Sequence, residues 1–101
     1  MECMEASTRP AKRPVIVLKV STTSRPAMLA GAIAGEIRGR GWVEMEAVGA
    51  GAVNQAVKSI AIAQGYLAPQ GTEIWTRPGF FDIDENGEHK TGIRFRVEVI
   101  Q

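Results

Sequence analysis

Two short stretches of this chain place anion-holding groups close to a helix start. Gly49-Ala50-Gly51 is a small-residue turn that leads into the alanine-rich run Ala52 to Gln64. A strand feeding a glycine turn and then a helix leaves the first backbone N–H groups of that helix unpaired, and such groups suit an anion. Asn54 and Lys58 follow as i, i+4 neighbours on one helix face, with Gln55 beside them, and could hold phosphate or sugar oxygens. The second stretch, Ser21-Thr22-Thr23-Ser24-Arg25, offers four hydroxyls and a guanidinium. The chemistry of this set is charge-assisted hydrogen bonding to an oxyanion. The same residues also suit plainer roles: a tight strand-to-helix turn, helix capping and a solvated face.

Stricter motifs fail. The glycine turn lacks the spacing and the Gly-Lys-Ser/Thr ending of a P-loop, and no third glycine completes a dinucleotide fingerprint. Asp82-Ile83-Asp84-Glu85-Asn86-Gly87 opens like a calcium loop, but its last ligand position falls on Ile93, so an acidic hairpin tip is expected. His89 is the only histidine and reads as an exposed hairpin residue. Arg94 and Arg96, with Trp75 on the preceding strand, could form a basic-aromatic patch or a solvated sheet face. No metal set, nucleophile with its base, or defined carboxylate pair is visible, so no catalytic residues, metal or cofactor are assigned.

The elements that must position these residues follow from apolar periodicity and turn chemistry. Val15 to Val20 is a β-branched run of strand length, β1. Ser24 before Arg25-Pro26 predicts the start of a helix, α1, over Pro26 to Arg38, with Leu29, Ile33 and Ile37 recurring every four residues and Gly39 and Gly41 ending it. Gly31 and Gly35 inside that helix suggest close backbone packing. Trp42 to Val48 is predicted as β2. Helix α2 is predicted over Ala52 to Gln64, with Val53, Ala56, Val57 and Ile60 as its inner stripe, Ile62 and Ala63 off it, and Gly65 as its cap. That wide apolar arc suggests an oligomer interface. Thr72 to Thr76 begins β3, which Pro78-Gly79 should break, bulge or confine to an edge before Phe80 to Ile83 continues it. Asn86-Gly87 is a hairpin signal, and Thr91 to Ile100 is β4, with Ile93, Phe95, Val97 and Val99 facing one way and Arg94, Arg96 and Glu98 the other.

The expected fold is therefore α+β, in the order β1-α1-β2-α2-β3-β4, with a mixed four-stranded sheet and both helices on one face. A right-handed parallel crossover joins β1 to β2. It also brings the Ser21–Arg25 loop and the Gly49-Ala50-Gly51 turn to one edge of the sheet, where ligands of open parallel sheets collect.

Composition narrows the classes. A chain of 101 residues suits one domain, residues 15–101, behind a flexible tail, residues 1–14. The tail carries Arg9, Lys12 and Arg13 and reads as a solvated leader or a basic arm. Few aromatics and many Ala and Gly predict a thin core. Twelve basic against 11 acidic side chains give a net charge of +1, so nucleic-acid binding would need a local patch. One cysteine, Cys3, and no apolar run long enough for a bilayer point to a cytoplasmic protein with no membrane partner.

Leu18-Lys19-Val20-Ser21, Ala32-Ile33-Ala34-Gly35, Ala47 to Gln64 with Ala68-Pro69, and Phe81-Asp82-Ile83 resemble the stage V sporulation protein S family over about Val15 to Ile100. Members are small bacterial proteins linked to sporulation and development, with an Alba-like fold. The resemblance implies a nucleic-acid-binding or regulatory role and a dimer or higher homo-oligomer, and no enzyme. Arg25-Pro26 resembles the Lys-Pro of Alba's first loop, which makes Arg25 the first candidate phosphate contact. Alba's arginines before its second helix match Gly49 and Gly51, and its basic hairpin arm matches an acidic one here, Asp82 to Glu88. The tail is not a family feature.

Two functions fit. One is a nucleic-acid-binding regulator, DNA or RNA, contacting phosphates through Ser21, Ser24, Arg25, Gly49, Ala50, Gly51, Asn54 and Lys58. The other is an oligomeric protein-interaction module in developmental regulation that uses the apolar arc of α2 and the sheet edge and binds no nucleic acid.

Overall fold

A computed structural model describes residues 16–100. The tail with Cys3, and Val15 of the predicted first strand, lie outside the described residues. The elements are β1 (Val17–Val20), α1 (Pro26–Arg40), β2 (Trp42–Ala47), α2 (Ala50–Leu67), a 3-10 turn (Ala68–Gln70), β3 (Ile74–Glu85) and β4 (Glu88–Val99). Element order and type are those expected from the sequence.

The sheet runs β1-β2-β4-β3. β1 and β2 are parallel, with Val20 opposite Ala47, and the other two pairings are antiparallel. Both helices cover one face. The core joins Ala30, Ile33, Ala34 and Ile37 of α1 and Ala52, Ala56, Ala63 and Leu67 of α2 to Val43, Met45, Phe95 and Val97 of the central strands. Alanine at so many buried helix positions makes the layer thin. The inward set on β4 is the alternation read from its sequence.

Several boundaries and faces differ from expectation. α1 runs through Gly39 and ends on Gly41, whose φ of 89° lets its N–H reach the carbonyls of Glu36 and Ile37. Gly31 and Gly35 lie on the exposed side, and an added Cβ at either meets nothing within 4 Å. The expected close packing is therefore absent there. α2 starts two residues early and passes through Gly65, and the left-handed residue that follows it is Gly71, after the 3-10 turn.

The inner stripe of α2 is also rotated from the prediction. Ala52, Ala56, Ser59, Ala63 and Leu67 are buried, whereas Val57 is 50% exposed. Hydrophobicity favours the valines, but close approach to the sheet favours small side chains, and close approach wins. Ser59 is tolerated inside because its hydroxyl donates to the Ala56 carbonyl at 2.7 Å.

β3 is not interrupted. It passes straight through Pro78-Gly79 with Pro78 opposite Phe95, because β3 is the sheet edge and its outward side needs no N–H donor. The hairpin closes on Asn86 and Gly87, both with positive φ. β4 pairs with β2 only from Ile93 to Glu98, so Phe81–Glu85 and Glu88–Gly92 project beyond the sheet as a two-stranded arm.

Candidate functional site

β1 ends at Val20 and releases the chain into a loop that is closed by its own hydroxyls. The Ser21 N–H donates to Ser24 Oγ at 2.9 Å, the Ser24 N–H donates to the Ser21 carbonyl at 3.1 Å, and Ser21 Oγ lies 3.0 Å from Thr23 Oγ1. Ser24 was expected to start the helix. Instead Arg25 occupies the N-cap position in an extended conformation, with no side-chain cap, and Pro26 opens α1. Ser24 Oγ is already committed within the loop. The Arg25 side chain is exposed.

The second segment reaches the same place from β2. Gly49 caps α2 with φ 95° and ψ 153°, a backbone shape that glycine adopts without strain. No side chain caps this end and no acidic residue lies in its first turn. The Val53 N–H is the first to close a helical bond, to the Gly49 carbonyl at 3.0 Å. The earlier N–H groups, on the exposed residues Ala50 and Gly51, therefore point out of the helix end.

The two segments meet. A Cβ added at Gly51 would lie 2.5 Å from Thr22 Cγ2, so the loop rests directly on the first turn of α2. Gln55 Nε2 donates to the Ser24 carbonyl at 2.8 Å and ties them together. Gln55 is thus a structural tie between the loops. Its spacing alone did not reveal this, because its partner lies 31 residues away. Asn54 and Lys58 are exposed on the solvent side of α2, just behind the turn. The structure brings Ser21, Ser24, Arg25, Gly49, Ala50 and Gly51 to one edge, with Asn54 and Lys58 on the adjoining helix face. Chemically this is an open surface with two exposed cations beside an uncapped helix N-terminus, fit for an extended polyanion.

The far face of the sheet is also charged. Arg94 Nε donates to Glu46 at 3.0 Å, Arg96 Nε to Glu98 at 2.8 Å and Arg96 Nη1 to Glu44 at 3.2 Å. The aromatic partner of Arg96 is Trp42, with the guanidinium 4.1 Å from the ring centre, whereas Trp75 sits opposite Glu98. Arg94 lies over Phe81 at 5.2 Å. On the arm, His89 is exposed and its Nδ1 lies 3.0 Å from Asp84 Oδ1, which makes the calcium-like stretch part of a hairpin. Among the described residues, no group of three His, Cys, Asp or Glu side chains is placed to hold a metal. No helix among them is long and apolar enough to cross a membrane.

This topology defines an Alba-type α+β domain. It is similar to the solved structure of Alba from Thermoplasma volcanium, with a TM-score of 0.58 over 85% of this chain and 100% of that one, at 10% identity. The family model described as Stage V sporulation protein S matches residues 16–100, and the chain belongs to that family.

Proposed function

We propose that this protein is a nucleic-acid-binding regulator of bacterial sporulation or development. It contacts the phosphates of DNA or RNA through Ser21, Ser24, Arg25, Gly49, Ala50 and Gly51 at the helix N-termini, and through Asn54 and Lys58. The observation that carries this reading is the junction of the two loops at Thr22 and Gly51, flanked by the exposed Arg25 and Lys58. The sporulation family supports the regulatory setting, and the Alba-like fold supports the mode of contact. Binding, not catalysis, is the activity proposed, and the single cysteine favours the cytoplasm. The arm carries Asp82, Asp84, Glu85 and Glu88 against Lys90, so it repels a phosphate backbone and leaves the work to the body of the domain.

A homodimer or higher homo-oligomer completes the proposal. Val57 is 50% exposed and Phe80 is 81% exposed. Val57 lies on the flank of α2 that also carries Gln64, whose side chain holds the start of β3, and Phe80 lies on the helix side of that same strand. These two exposed apolar side chains favour the second reading as well, an interaction module without nucleic acid.

The test is fluorescence anisotropy with duplex DNA, single-stranded DNA and RNA, at low and near-physiological salt, on the parent protein and on Arg25→Ala and Lys58→Ala. Affinity should fall with salt, and each variant should weaken binding and lower the log–log salt slope by about 0.9 on duplex DNA. No binding to any of the three at low salt sinks the regulator reading and leaves the interaction module.

A further inference from the structure

The outer face of the sheet, away from the helix N-termini, gathers three arginines among Glu44, Glu46 and Glu98. Arg77 of β3 stands directly opposite Arg96 of β4, and Glu98 pairs with both, which offsets the repulsion of like charges in that position. Arg94, two residues before Arg96, projects from the same face, and the residue opposite Arg94 is Gly79. A glycine there leaves space where a side chain would stand. The result is a hollow of about 300 Å³ lined by Arg77, Arg94 and Arg96, with Glu44 and the backbone around Gly79. That volume lies at the small end of ligand sites.

Two of the three guanidiniums are held in place by carboxylates, one of which, Glu44, lines the hollow itself. Glu46 fixes Arg94, while Glu44, Glu98 and the Trp42 ring fix Arg96. A guanidinium has more N–H donors than these bonds use, so each retains donors for a further acceptor. Arg77 is held loosely: its side chain is 62% exposed, and its ion pair with Glu98 is 3.7 Å long. Fixed guanidiniums with spare planar donors, beside a third that is largely exposed, suit a phosphate group better than a single carboxylate.

We propose that this hollow binds a phosphate group, either of a small phosphate ester or of a nucleic-acid backbone, independently of the helix-terminal loops. An anion drawn to Arg96 alters the stack on Trp42, one of only two tryptophans, so emission reports binding.

The experiment titrates the full chain with inorganic phosphate, thymidine monophosphate and a short oligothymidylate, following tryptophan emission and the Gly79 amide by NMR. All three should give saturable changes. A tighter response to the monophosphate identifies a small ester as the source, and a tighter response to the oligonucleotide identifies the backbone. Arg77→Gln should weaken binding about tenfold, the loss expected for one charge-assisted hydrogen bond. Gly79→Val should abolish the response while folding normally, because an added Cβ there meets nothing within 4 Å and valine suits a strand. Shifts of the Gly79 amide, rather than of the Gly51 amide, place the response in this hollow and apart from the loop surface. No saturable response in the parent protein, or an undiminished one in Gly79→Val, overturns the proposal.

Discussion

Thr22 occupies the space that a side chain at position 51 would need: its Cγ2 would lie 2.5 Å from a Cβ built on Gly51. The loop after β1 and the first turn of α2 are therefore one packed unit, and the small residue at 51 is a steric requirement of their junction. Gly51→Ala should destabilise the fold by about 1–3 kcal/mol, as overpacking does. Thr22→Ser removes the offending methyl, so the double variant should recover most of that loss. Urea midpoints at unchanged m-value measure both. Additive losses would show that the two residues do not share the space.

Gln55 bridges the same junction through the Ser24 carbonyl. Gln55→Ala should cost about 1 kcal/mol, the net value of one hydrogen bond, and should speed amide exchange in the Ser21–Ser24 loop. Unchanged loop exchange would show that the loop is held by its own hydroxyls alone.

The phase of α2 can be tested by comparing two residues. Leu67 is fully buried and Val57 half exposed. Leu67→Ala should cost about 2–5 kcal/mol, whereas Val57→Ala should stay within about 0.5 kcal/mol in the monomer. Thermal or urea unfolding in dilute solution reads both. The reverse ranking would restore the stripe that hydrophobicity alone suggests.

Gly92 is a tighter point than Gly51. A Cβ there would lie 2.5 Å from Phe81 Cε1 and 2.8 Å from the Ala47 carbonyl oxygen. The ring can turn, but the carbonyl belongs to the β2–β4 ladder and cannot. Gly92→Ala should therefore cost about 3 kcal/mol, the upper end for overpacking, and Phe81→Leu should rescue it only in part. Full rescue would place the whole clash on the ring.

Legibility in the sequence tracked how local each cause was. The β4 alternation, the Asn86-Gly87 turn and the Ile33 and Ile37 positions of the α1 stripe depend on neighbours a few residues away, and they were readable. Convergence of the two loops was readable too, because a parallel β1-α1-β2 crossover sends both to one sheet edge. The Gln55–Ser24 bond was not readable, since it depends on where α2 comes to rest against the loop. The outer-face hollow was visible only as Arg94 and Arg96 on one side of β4. Arg77 and Gly79 join it through cross-strand register, which local sequence does not encode.

By itself the sequence determined the order and type of the elements and the small-residue turn that opens α2, because periodicity and glycine chemistry act within a few residues. Tertiary structure alone decided which side of α2 faces the sheet. An apolar arc that includes Val53, Ala56, Val57, Ile60 and Ala63 fits several rotations, and only close packing selects the alanines. It also decided that β3 runs unbroken through Pro78, because a missing N–H is harmless only on a strand whose outer side has no neighbour.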